Sequence, residues 1–340
     1  MLKHCFQGLV WLSVAFFSLW AAGAIYYLLW LPEWMRPVCC ASFVIGFTAW
    51  IWRSKHRHKT RAILAASIVL IYLLTLLIRP SNDRNWADDQ TRVAKVEIAD
   101  GVVTISNFRN FHYRSETDFD PIFETKTFRL EDLDSVSLIV QKFTPSEGLA
   151  HVMLSFGIRR EFLSEETSES EQSYFSLSIE VRREKGESYG PIKGVYRNYE
   201  VTHVIGDERD LVGVRTVHRP QDRVWLYALN ATDEQVQQLF LGFVDRIKHL
   251  ESNPEFYHTF LNNCANGITR QTYELTPEPI NWLDLRIVMP GFSDSFAFEN
   301  GLIGDARTQD FEQIKGNARI DERARQLGIR EDFSTKIRLR

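Results

Sequence analysis

The chain has 340 residues, with 40 Lys and Arg against 44 Asp and Glu, a formal net charge of −4, 44% apolar residues and 23 Phe. A chain this apolar and aromatic is not disordered, and its slight acidity gives no reason to expect nucleic acid as a partner. Only one of its four cysteines, Cys264, lies beyond residue 40, which excludes a disulfide or a multi-cysteine zinc site in the later part.

Charges are nearly absent before residue 80, apart from one cluster. Residues 9–31 hold no charge over 23 positions, enough to cross a hydrocarbon core that takes about 20 helical residues. Two shorter apolar runs, 38–52 and 62–78, read as further spans, extended by terminal Trp and Tyr and by snorkelling Arg and Lys. The competing reading is one signal anchor followed by a buried helical hairpin, but nothing nearby in sequence would cover such a hairpin. No small-x-small cleavage site follows the first run. The connection at 53–61 holds Arg53, Lys55, Arg57, Lys59 and Arg61, whereas 32–37 holds only Arg36. The positive-inside rule puts the basic connection in the cytoplasm, so the N-terminus lies inside and everything after Arg79 emerges outside.

Residues 1–79 therefore form a membrane region, 80–91 a short polar tether and 92–340 an extracytoplasmic domain. In that domain Asp100-Gly101 between alternating apolar runs signals a hairpin. The strand-like segments IFETKTFRL, VSLIVQKF, AHVMLSFGI, SYFSLSIEV, YEVTHVIG, LVGVRTV and RVWLYAL follow, with an acidic, serine-rich loop at 162–173. After Thr232 the period turns helical, with Thr232 or Asp233 as cap and Asn253-Pro254 as the stop. PEFYHTF reads as a second helical stretch leading to the turn LNNC, and NARIDERARQLGI in the tail also looks helical. Sheet first and helices after suggest an α+β domain with a mainly antiparallel sheet. No phosphate-binding Gly-rich loop with Lys, no HExxH and no GxSxG elbow occurs, the histidines show no metal-like spacing, and no cofactor or metal is implied.

Cys264 sits in LNNCANGITRQTYEL, where Asn262 and Asn263 are good helix caps. A thiol at a helix N-terminus meets unpaired N–H groups and the positive end of the dipole, which favour a thiolate and can hold an oxyanion beside it. A buried structural cysteine is the alternative. His151 is the best candidate base. Alternation in AHVMLSF puts His151, Met153 and Ser155 on one face, and in SYFSLSIEV it puts Ser176, Ser178 and Glu180 on the other side from Phe175, Leu177 and Ile179. A register symmetric about the acidic loop sets Glu180 opposite His151 and Ser176 opposite Ser155. Glu180 can then orient the imidazole as the third member of a triad; a solvated polar face is the bland reading. His258, six residues before Cys264, is the rival base. Arg109, Arg114, Arg182, Arg183 and Lys185 are candidates to hold an anionic headgroup, or are simply solvated strand ends. NWLDLRIVMPGF (281–292) can line an acyl chain, touch the bilayer or form core.

The runs VEIADGVVTISNFRNFHYRSETDFD, GLAHVMLSFG, FSLSIEVRREKGESY, VIGDERD, NNCANGI and PGFSDSFAFENGLI resemble the Lnb N-terminal periplasmic domain family over essentially residues 90–340. The resemblance implies a bacterial lipoprotein N-acyltransferase. Such an enzyme moves an acyl chain from a phospholipid to the α-amino group of a lipoprotein's diacylglyceryl cysteine. It also implies a fold similar to the permuted NlpC and lecithin–retinol acyltransferase group (permuted papain-like), in which a strand histidine precedes a helix-start cysteine. His151 would match that histidine, Cys264 that cysteine, and Glu180 the polar position on the second strand. The implied setting is the bacterial inner membrane, multi-pass, with the domain in the periplasm. The implied partners are a phospholipid donor, a lipoprotein acceptor and the bilayer. A cell-wall amidase or peptidase using the same Cys-His pair, and a non-catalytic membrane module, are the alternative functions.

Overall fold

The computed structural model describes residues 2–27, 31–143, 145–159, 172–276 and 279–339, without the side chains of 2–7 and 57. The chain divides into two compact units, one of residues 1–81, 189–200 and 256–258 and the other of 82–188, 201–255 and 259–340.

In the first unit, α1 (Leu2–Tyr26), α2 (Met35–Arg53) and α3 (Arg57–Leu76) are each long and apolar enough to cross a membrane. The third begins inside the basic segment, five residues before the expected span, because Arg57, Lys59 and Arg61 are good helix formers with no breaker among them. Tyr196 belongs to this unit and stacks on Tyr27 with ring centroids 5.3 Å apart.

The second unit is a mixed α+β domain. Its sheet runs in the order β1 (Lys95–Ala99), β2 (Val102–Arg109), β9 (Glu200–Asp207), β8 (Ser173–Arg182), β7 (Ala150–Ile158), β6 (Leu133–Lys142) and β10 (Arg223–Ala228). β5 (Phe123–Arg129) pairs with β2, and β3 (His112–Tyr113) with β4 (Phe119–Asp120) apart from the main sheet. β1 and β5 pair with β2, β7 with β6 and β8, and β10 with β6, all antiparallel, whereas β2 and β9 run parallel. Asp100 and Gly101, both at positive φ, close the first hairpin with a two-residue turn. Gly206 is where β9 meets β2: a Cβ there would lie 2.7 Å from the Arg109 carbonyl oxygen.

Helices cover both faces of this sheet. α5 (Asp233–Ser252), started by a capping box of Thr232 and Gln235, packs Phe240 against Phe128, Phe156 and Phe175. The opposite face carries the polar residues of β7 and β8, and it is not open to water. Ser155, Ser176 and Ser178 are buried. α4 (Glu208–Thr216) lies over this face with the tail, where Met153 packs with Leu211, Val212, Ile320, Phe333 and Ile337. The tail also delivers Arg338, which donates to Glu208 through both terminal nitrogens at 2.7 Å and to Ser155 Oγ at 2.8 Å. α6 (Cys264–Thr272) and α7 (Ser293–Glu299) come next, then α8 (Phe311–Ala318), α9 (Asp321–Leu327) and α10 (Phe333–Lys336).

Three expectations are corrected. LVGVRTV is helix α4, capped by the Asp207 side chain, which accepts from Arg209 N–H; burial of its whole length outweighs the weak helix preference of three valines. PEFYHTF forms no helix: Phe256 bridges to Glu200 and Tyr257 N–H bonds the Tyr199 carbonyl, and Thr259 and Phe260 turn the chain. Residues 80–91 are not a free tether from Asn82 onward. Ala87 N–H bonds the Arg183 carbonyl, Gln90 Nε2 the Val181 carbonyl, and Asn82 Nδ2 the Leu250 carbonyl. The acidic loop, except Gln172 and Ser173, lies outside the described residues.

Candidate active site

β7 and β8 pair in the register expected from their alternation, with Ser155 opposite Ser176 and Met153 opposite Ser178. The ladder ends there, and the strands carry His151 and Glu180 two residues beyond it. His151 Nε2 lies 3.3 Å from Glu180 Oε1 and 2.7 Å from Ser178 Oγ. The Ser178 hydroxyl donates to Glu180 Oε1 at 2.7 Å, so its lone pairs face the ring and Nε2 is the nitrogen that carries a proton. Arg215 of α4 donates to the same carboxylate oxygen at 2.6 Å, and its Nη1 bonds the Leu211 carbonyl at 2.7 Å.

Cys264 is the first residue of α6 and is buried. Asn263 caps this helix by a reciprocal pair with Asn266: each side chain accepts from the other's backbone N–H, at 3.0 and 2.9 Å. The first-turn N–H groups of Cys264 and Ala265 have no intrahelical acceptor. The thiol lies within hydrogen-bonding reach of His151. Burial alone would lower the pKa of that imidazole; the Glu180 charge and the bonds to Cys264 and Glu180 override it and raise it to about 9. Burial would likewise raise the Glu180 carboxyl. The charges of His151 and Arg215 outweigh burial and hold it well below the usual carboxylate range.

His151, Glu180 and Cys264 are thus brought together from two strands and a helix start, 113 residues apart at the extremes. Two neighbours escaped the sequence reading of the site. Ser178 stood on the polar face without a role, and Arg215 lay in a segment read as a strand. The start of α4 was legible in VIGDERD, where Asp207 caps and Glu208 and Asp210 fill the first turn. Asn263 is the cap, but Asn262 is not; its side chain donates to Glu255 at 3.2 Å. The rival base His258 lies on extended backbone, and burial lowers its pKa.

The five cations offered for an anionic headgroup have partners inside the domain. Arg109 is buried in a two-pronged pair with Asp210, and Arg182 is buried over the Trp86 ring. Arg183 pairs with Asp89, Lys185 with Asp88, and Arg114 with both Asp118 and Asp120. In 281–292 the segment divides: Ile287 is buried, whereas Trp282, Leu283 and Leu285 are exposed.

Comparison with curated proteins and with solved structures returns no match. A family model, the Lnb N-terminal periplasmic domain, matches residues 119–289, half of the chain. The matched span contains every residue of the cluster just described, from His151 on β7 through Glu180 and Arg215 to Cys264. On that match the chain belongs to the Lnb N-terminal periplasmic domain family.

Proposed function

We propose that the protein is a membrane-anchored thiol acyltransferase. In this reading it moves an acyl chain from a phospholipid through a Cys264 thioester to an amine, the N-terminal diacylglyceryl cysteine of a lipoprotein. The observation that carries the reading is the buried helix-start thiol beside an imidazole whose far nitrogen is engaged by Ser178 and Glu180. With Nε2 so engaged, Nδ1 is the nitrogen that exchanges a proton with sulfur. The thiolate attacks the ester carbonyl, and the first-turn N–H groups of α6 hold the oxyanion. The C–O bond breaks as His151 gives its proton to the departing lysophospholipid. The acceptor amine then attacks the thioester, His151 takes the amine proton, and the C–S bond breaks to release the amide and restore the thiolate. Strand histidine before helix-start cysteine is the chain order of the permuted papain-like group, which supports the same roles. The three apolar helices suit a lipid donor, with the N-terminus inside and the domain in the periplasm of a bacterial inner membrane.

The test incubates the full-length protein with phospholipid radiolabelled in its acyl chain. Label on the native chain that neutral hydroxylamine removes, absent from Cys264→Ala, is the expected result. Cleavage of peptidoglycan peptides with no labelled protein and no lysophospholipid overturns it in favour of an amidase.

A further inference from the structure

We infer that the rim around Cys264 is a bilayer-inserting surface. Six large apolar side chains from three separate segments are exposed: Leu149, Phe260, Leu261, Trp282, Leu283 and Leu285. Leu283 and Leu285 are 89% and 72% exposed, values at which an aliphatic side chain contributes nothing to the core. Each segment is tied to the site. Leu149 stands two residues before His151, and its neighbour Gly148 accepts from Gly291 N–H through its carbonyl at 3.1 Å. The Phe260 carbonyl accepts from Asn266 Nδ2 at 3.0 Å, and Leu261 is three residues from Cys264. The 280s segment reaches the Cys264 cap through the Val288 carbonyl and Asn263 Nδ2 at 3.4 Å.

The 280s segment is built, not loose. Ile280 and Ile287 pack with Phe296 in a small core of their own, and Asp284 caps the turn by accepting from Arg286 N–H at 2.9 Å. Such a loop holds Trp282, Leu283 and Leu285 outward at a cost in exposed apolar area, which marks an interaction surface. The occupant it fits is the lipid–water interface. An amphipathic Trp beside aliphatic side chains is the composition that settles at headgroup level. The same chain also holds three helices of membrane length. Together with the acyl-transfer reading, on which this second step rests, the surface lets a phospholipid ester pass to the thiol without crossing water.

The experiment places a photoreactive benzoylphenylalanine at Leu283 in the full-length chain, reconstituted in nanodiscs of phosphatidylethanolamine and phosphatidylglycerol. The control carries it at Leu339, another exposed leucine, beyond α10 on the other side of the sheet from α5. Lipid adducts at position 283 at least about tenfold above those at 339 are expected, in the native and the Cys264→Ala backgrounds alike. Equal yields at the two positions, or a cross-link to a second copy of the chain in place of lipid, overturn the inference. Because this readout needs no turnover, adducts without acyl transfer would retain the surface and remove the enzyme reading. In the converse test, Leu283→Glu with Leu285→Glu should cut turnover on bilayer phospholipid about tenfold while leaving iodoacetamide alkylation of Cys264 unchanged; unchanged turnover overturns the inference.

Discussion

Glu180 reaches His151 from the neighbouring strand, its Oε1 3.3 Å from Nε2, and is itself held by Arg215 at 2.6 Å. The carboxylate therefore serves two cations at once. Arg215 keeps it ionised and oriented, and its charge keeps the imidazole protonated into the alkaline range.

This chain of charges makes the pH response readable. With its pKa raised from 6.5 to about 9, the His151 imidazolium adds stability that is complete below about pH 6.5 and lost as pH rises through about 9. In Glu180→Gln the main raising charge is gone, so the alkaline limb of Cys264 alkylation should move to lower pH. The melting temperature should likewise lose its fall between neutral pH and pH 9. A pH profile identical to that of the native protein would mean that Glu180 does not set the imidazole's proton.

Cys264→Ser and His151→Ala should each lose at least about 10³-fold in acyl transfer while keeping the native circular dichroism spectrum. A serine hydroxyl is a far weaker nucleophile beside the same base, and in the proposed mechanism one imidazole serves both half-reactions. The double variant should be no worse than either single one, because the two groups act as a unit. Glu180→Gln should cost about one or two orders of magnitude less than loss of His151. Radiolabelled product formation measures all four.

Arg338→Ala should destabilise the domain by about 3–5 kcal/mol, since it strands the fully buried Glu208 carboxylate without its charge partner. Glu208→Gln with Arg338→Met should recover much of the loss. Urea midpoints at pH 7 decide this; a change below about 1 kcal/mol would mean that water replaces the guanidinium.

Under the proposed orientation, in which the five cations of the 53–61 connection keep it inside, a periplasm-dependent reporter fused at the C-terminus should be active and one fused in that connection inactive. Activity of a cytoplasmic reporter at the C-terminus would reverse the proposed orientation.

The features legible in the residues are short-range patterns. Uninterrupted apolar runs marked the three long helices, Asp100-Gly101 the hairpin, Thr232 and Asn253 the two ends of α5, and period-two alternation the faces and register of β7 and β8. Each follows from rules that act over a few residues, so the residues alone express them. What those faces meet depends on packing between distant parts of the chain. Alternation left the polar face of β7 and β8 open to two readings, a catalytic one and a solvated one; α4 and the tail cover it, and Glu208 with Arg338 satisfies its Ser155. LVGVRTV has strand composition but helical structure, and with the helix comes Arg215, the group that anchors Glu180. The same holds for the cations: read as a chain they looked available for a headgroup, and only their distant partners, such as Asp210 for Arg109, show them already engaged. Burial and charge pairing join residues a hundred positions apart, and no local pattern records which distant group will lower the cost of burying a polar side chain.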